Sequence, residues 1–121
     1  PTGTIQADNR ITLQYDLHII VPCYNVAHTV VRCVDSILSQ KADYTFFVSL
    51  VNDGSTDKTP ELLERYRADP RVEILTQSNR GLSGARNRAL EHIRGKYILF
   101  VDSDDTLRKG AVQALLSKLR V

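Results

Sequence analysis

Lys96-Tyr97-Ile98-Leu99-Phe100-Val101-Asp102-Ser103-Asp104-Asp105 is an apolar run that ends abruptly in carboxylates. A short β-branched and aromatic segment closed by polar residues reads as a strand leading into a loop. The same unit recurs upstream. Leu17-His18-Ile19-Ile20-Val21 is stopped by Pro22 and has the pattern of a strand buried on both faces of a parallel sheet. Thr45 to Val51 runs into Asn52-Asp53-Gly54-Ser55-Thr56-Asp57, and Val72 to Thr76 runs into Gln77-Ser78-Asn79-Arg80-Gly81. Helical spacing fills the gaps. Val26, Val30, Val34, Ile37 and Leu38 recur through Gln40, and Leu62, Leu63 and Tyr66 follow Pro60, which suits a first turn. Leu82, Ala85, Ala89 and Ile93 line one side of a third helix, with Gly95 as its expected C′ residue, and Val112, Leu115, Leu116 and Leu119 make a closing one.

Strand and helix therefore alternate with short connections. The expected fold is α/β: a three-layer, open, mostly parallel Rossmann-like sheet with right-handed crossovers. Ligands of such sheets bind beyond the carboxyl ends of the strands, where loops and helix N-termini converge. The polar clusters at Pro22 to Asn25, Asn52 to Asp57, Gln77 to Gly84 and Asp102 to Asp105 are expected to share that rim.

Composition narrows the classes. The 121 residues, 42% of them hydrophobic, suffice for one domain with a real core. Sixteen Lys and Arg against 14 Asp and Glu are scattered, without a basic stripe interleaved with aromatics, so nucleic acid is not the expected partner. Cys23 and Cys33 form no zinc or disulfide pattern and read as buried thiols. No apolar run approaches the ~20 residues needed to span a bilayer, and no signal peptide pattern opens the chain, so a cytoplasmic protein is expected. The absence of Met points to a piece of a longer or processed chain. Residues 1–16, with a weak alternation at Ile11, Leu13 and Tyr15, are an unassigned leader.

Side chains two apart on an extended segment point the same way, so Asp102 and Asp104 present carboxylates to one side of the strand end. Two hard oxygen ligands suit Mg²⁺ or Mn²⁺ and leave room for water and a diphosphate. The same residues would also serve as helix caps, with Asp105 or Thr106 as N-cap. Asp53 could accept a hydrogen bond from a uracil imide or a ribose hydroxyl, or could belong to an Asx-turn. Arg86, one turn into the third helix, suits an anion or lies in solvent. Tyr24 offers a ring to a ligand or a packed ring with its hydroxyl in water.

The ordered motifs Ile19-Ile20-Val21-Pro22-Cys23-Tyr24-Asn25, Val51-Asn52-Asp53-Gly54-Ser55-Thr56-Asp57, Asn79 through Asn87, and Phe100-Val101-Asp102-Ser103-Asp104-Asp105 resemble family 2 glycosyltransferases. The resemblance extends from Leu17 to Leu107 and implies a truncated GT-A fold, with residues 17–121 as the donor-binding part. It implies that Pro22, Tyr24, Asn25 and Asp53 surround the base of a nucleoside diphosphate sugar, usually a UDP-sugar, and that Arg86 helps hold the nucleotide. Asp102 and Ser103 would approach the ribose or the metal shell, and Asp104 would ligate Mn²⁺ or Mg²⁺ at the diphosphate. The implied reaction is an inverting transfer to an acceptor hydroxyl, on a glycan or lipid-linked acceptor. The family's catalytic base lies downstream of the acidic motif, so none is expected here, and the fragment is expected to bind donor without transferring it. The parent protein could be membrane-associated, and self-association is possible through a surface left uncovered.

Two rivals stand beside this reading. Tyr97 through Leu107 also resembles the nucleophile motif of haloacid-dehalogenase-like phosphatases, in which Asp102 would attack phosphorus. That motif opens its fold, whereas here it follows three strand-helix units, and it leaves Asn52 to Asp57 unexplained. The other rival is a non-catalytic nucleotide-sugar-binding domain. His18, His28 and His92 lie too far apart in pattern for a zinc site, and Gly81-Leu82-Ser83-Gly84 is not a dinucleotide fingerprint.

Overall fold

The structure, a computed structural model, describes residues 14–119. Four strands, β1 (Tyr15–Cys23), β2 (Phe46–Asp53), β3 (Val72–Gln77) and β4 (Gly95–Phe100), form one sheet in the order β3-β2-β1-β4. Every pairing is parallel, more uniform than the mostly parallel sheet expected. The helices are α1 (Val30–Leu38), α2 (Thr59–Leu63, continued by a 3₁₀ turn at Glu64–Tyr66), α3 (Gly81–Leu90) and α4 (Ala111–Lys118).

The hydrophobic patterns explain the layers. On α1, Val30, Cys33, Val34 and Ile37 form a buried stripe that packs with Leu17, Ile19, Val21 and Cys23 of β1. Leu63 and Tyr66 after β2, and Val112 and Leu116 on α4, join the same cluster. The opposite face is thinner: Ile20 and Val51 meet Ala85 and Ala89 of α3. Two small alanines let this helix lie close to the sheet. β1 and β2 are the buried central strands, whereas β4 is an edge strand that exposes Tyr97, Ile98 and Phe100.

A buried polar chain also crosses the sheet. His18 Nδ1 accepts the Arg94 backbone N–H at 3.1 Å, which places its proton on Nε2. Nε2 lies 2.7 Å from Ser49 Oγ, and Ser49 Oγ in turn donates to Glu73 Oε2 at 2.6 Å. Burial lowers the His18 pKa to about 4, so the ring is neutral and structural.

Several boundaries differ from the sequence reading for identifiable reasons. Pro22 does not stop β1, which continues to Cys23. The ladder to β4 has ended by then, with Val101 N–H donating to Ile20 O, and the next residue facing that side is Pro22. Its missing N–H therefore leaves no gap. β1 also starts at Tyr15, inside the segment expected as leader, while the alternation at Ile11 and Leu13 lies outside the described residues. Val26 precedes α1: its carbonyl accepts from Thr29 and Val30 in a turn. Gly95 is not a helix C′ residue, because α3 ends at Leu90 and Gly95 opens β4. A Cβ there would stand 2.4 Å from His18 N and 2.6 Å from Leu17 C, so glycine is required by the approach of β1. Leu82 and Leu119, placed on buried helix faces by spacing, are exposed.

Candidate functional site

From β1 the chain moves outward in one direction, to β2 and then β3, and returns to place β4 on the other side of β1. Such a reversal opens a crevice at the carboxyl ends of the strands. A cleft of about 430 Å³ lies there, lined by Pro22, Cys23, Tyr24 and Val26 after β1 and Asp53 at the end of β2. Asn79, Gly81, Leu82 and Ala85 from the β3–α3 region, and Asp102, Ser103 and Asp104 after β4, complete it.

Asp53 is the best-defined group. It is the last residue of β2 and only 2% exposed. Oδ1 accepts from Gln77 Nε2 at 2.9 Å and from the Arg80 backbone N–H at 2.8 Å, while Asn79 Nδ2 donates to its carbonyl. Oδ2 has no such partner among the described residues and belongs to a residue of the cleft wall. The Asx-type turn is made by its neighbour: Asn52 Oδ1 accepts the Ser55 N–H at 3.1 Å. Gly54, at φ +73°, completes the turn where a Cβ would come within 2.6 Å of Asn79 N.

At the other end, carboxylate oxygens of Asp102, Asp104 and Asp105 lie within 4.8 Å of one another, all on exposed residues. Neither Asp105 nor Thr106 caps the next helix. α4 starts at Ala111 after Gly110, which occupies the left-handed region at φ +83°, without a side-chain cap. The cluster is thus free of the capping role. Three hard anionic oxygens in reach of one another suit a divalent cation. Beneath them Cys33 Sγ approaches the Asp102 carbonyl at 3.6 Å; burial first, and then the fields of Asp105, Asp104 and Asp102, push its thiol up to about 12. Burial likewise pushes Cys23 to about 12, so both thiols are protonated and inert.

Of the residues singled out by sequence, Pro22, Tyr24, Asp53, Asp102, Ser103 and Asp104 come together on this cleft. Tyr24 is 49% exposed, a presented ring and not a packed one. Asn25 and Arg86 do not line it. The Arg86 guanidinium stands 4.8 Å from the Phe100 ring centroid, and its Nε is buried without a partner. Cys23, Asn79 and Asp105, which the sequence places within the rim clusters without a role of their own, also belong to the site: Cys23 and Asn79 line the cleft and Asp105 joins the acidic cluster. For Asp105 the adjacent Asp104 was the available signal; for Cys23 its place between Pro22 and Tyr24.

The family described as Glycosyl transferase family 2 matches residues 18–121. The chain is 40% identical over 113 residues to the glycosyltransferase GlyA of Streptococcus pneumoniae, covering 93% of this chain and 15% of that protein. It is 40% identical over 111 residues to the hyaluronan synthase of Pasteurella multocida, covering 91% of this chain and 11% of that protein. Among solved structures, S. aureus TarS 1-349 in complex with UDP-GlcNAc matches with a TM-score of 0.79 and 31% identity, covering 87% of this chain and 31% of that one. The mannosyltransferase PcManGT of Pyrobaculum calidifontis, in complex with GDP-Man and Mn²⁺, matches with a TM-score of 0.73 and 28% identity, covering 86% and 33%.

The parallel α/β sheet is that of a GT-A fold glycosyltransferase. The chain belongs to glycosyl transferase family 2. It spans a minor part of the length of these relatives. Membership removes the haloacid-dehalogenase reading of Asp102. Among the described residues no helix is long and apolar enough to cross a membrane.

Proposed function

We propose that the cleft binds a UDP-sugar with Mn²⁺ or Mg²⁺, and that the parent protein transfers the sugar, a hexosyl or hexosaminyl group, to an acceptor hydroxyl of a glycan or lipid-linked molecule with inversion. The observation that carries this reading is the pairing, across one cleft, of a fixed carboxylate at Asp53 with the exposed cluster Asp102, Asp104 and Asp105. Asp53 Oδ2 supplies an acceptor for the uracil imide, while Tyr24 presents its ring to the base. Asp104, with Asp102 and Asp105 beside it, would hold the cation, whose charge offsets that of the departing diphosphate. Ser103 backs the ribose end, and Arg86 attracts the nucleotide from outside the wall through its positive charge. The acceptor's base lies in the remainder of the parent, so this part binds donor and does not transfer it. A cytoplasmic location, facing the donor, and membrane attachment of the parent belong to the same reading.

The test is calorimetric titration of UDP with and without Mn²⁺. Mn²⁺ is expected to tighten UDP binding, and Asp104→Ala is expected to abolish that gain while keeping the metal-free affinity. A variant with the metal effect intact overturns the assignment. Titration with GDP and CDP tests the uridine preference.

A further inference from the structure

Asn25 is the one non-glycine residue with positive φ among the described residues, at +50°, a conformation that asparagine tolerates better than most. Its surroundings show what holds it there. Oδ1 accepts the backbone N–H groups of Thr56 at 2.7 Å and Asp57 at 3.3 Å. The bonds are returned: Asn25 N–H donates to Ser55 Oγ at 3.1 Å, Val26 N–H to Thr59 Oγ1 at 2.9 Å, and Ala27 N–H to Asp57 Oδ2 at 3.2 Å. Hydrogen bonding from Thr59, with further backbone N–H groups, holds the Asp57 carboxyl below its ordinary pKa, so it stays an anionic acceptor. Two loops about 30 residues apart in sequence are thereby buttoned together.

We infer that Asn25 is a positioning residue: its carboxamide clamps the loop after β1 to the loop after β2 and so fixes the Tyr24 ring at the base end of the cleft. This rests on the donor-binding reading above. Tyr24 is half exposed and has no side-chain hydrogen bond among the described residues, so its place is set by the backbone on either side. On one side that backbone is β1, ending at Cys23; on the other it is Asn25. The clamp also explains why Asn25 does not line the cleft although its neighbours do. Because Oδ1 is already occupied, a direct contact with nucleotide would have to use Nδ2 as donor.

That difference decides the experiment. Asn25→Gly keeps the left-handed backbone and removes the clamp; Asn25→Asp keeps the acceptor and removes the Nδ2 donor. Titrating the 121-residue chain, Asn25→Gly is expected to weaken uridine and UDP alike, by about tenfold, as expected for loss of one or two hydrogen bonds. Mn²⁺ affinity measured without nucleotide should be unchanged, a split that general loosening of the fold would not produce. Asn25→Asp is expected to recover binding to within about threefold of the parent chain. Thr59→Val removes a separate bond between the same two loops, Val26 N–H to Thr59 Oγ1, and should weaken uridine and UDP in the same direction as Asn25→Gly.

Wild-type affinity for uridine by Asn25→Gly, or an Asn25→Asp loss as large as that of Asn25→Gly, overturns the positioning role while leaving UDP binding by the wild type standing. A wild type that takes up no UDP overturns the donor reading itself, and the clamp's role in it.

Discussion

Asp53→Asn separates what the carboxylate does for the fold from what it does for the base. Oδ1 is committed to Gln77 Nε2 and the Arg80 N–H, and an amide oxygen of the same shape accepts both, so the local structure should survive. The change falls on the other atom, where an acceptor becomes an NH₂ donor. Facing a uracil imide, two donors then meet, and a hydrogen bond to a charged group is lost. Such a bond contributes roughly 1.5–3 kcal/mol, and with 1.4 kcal/mol per decade the loss in UDP affinity should be roughly 10- to 100-fold. Cytosine presents an acceptor at the same ring position. CDP should therefore lose far less than UDP, or gain, and the UDP/CDP preference should collapse. Calorimetric titrations of both nucleotides with Mn²⁺ read the ratio, and thermal melting confirms the fold. Equal losses for UDP and CDP, or an unchanged UDP affinity, would refute the assignment of Asp53 to the base.

Two further predictions concern the scaffold. His18 titrates near 4 when folded against 6.5 for the free side chain, so the unfolded chain takes up a proton first. Its contribution is flat above pH 6.5 and turns unfavourable as pH falls, reaching roughly 3 kcal/mol below the folded value; urea midpoints between pH 7 and 4.5 should show this slope, and the same slope in His18→Gln would refute it. Gly95→Ala drives a Cβ into the backbone of Leu17 and His18, with contacts of 2.6 and 2.4 Å. A fall in Tm on the order of 10 °C is expected, and an unchanged melting curve would show that the two strands can separate at no cost.

The elements legible in the sequence are those set by local pattern. The apolar runs before Pro22, Asn52, Gln77 and Asp102 announce parallel strands, and the polar residues after them announce the rim. The acidic cluster and Asp53 could be placed at strand ends for the same reason. What could not be read depends on residues distant in sequence. Gly95 looks like a helix stop until β1 is laid against it, and the partner of the Arg94 N–H is 76 residues away. Asn25 is drawn to the base by the family resemblance alone, and that its carboxamide accepts from a loop 31 residues on could not be read locally. Arg86 suits an anion by its place near a helix start, and the Phe100 ring under its guanidinium comes from β4, 14 residues on. Nor does spacing reveal that α3 leaves Leu82 outside, because only Ala85 and Ala89 are needed to seat it on Ile20 and Val51.

The two ends of the cleft are built on opposite principles, and this bears on how each selects its ligand. At the end proposed for the base, two groups are tied down: Asp53 by Gln77 and Arg80, Asn25 by Thr56 and Asp57. Little conformational freedom remains to be lost on binding there, so a wrong base meets a fixed mismatch instead of a rearranged one. At the other end the carboxylates of Asp102, Asp104 and Asp105 are on exposed residues and accept no side-chain or backbone hydrogen bond among the described residues. Close like charges with no internal partner favour a cation, and their freedom lets them adjust to its coordination shell and to a diphosphate. Discrimination among nucleotides should accordingly follow substitutions around Asp53, Asn25 and Tyr24. Changes in the acidic cluster should alter metal dependence while leaving the order of preference among bases unchanged.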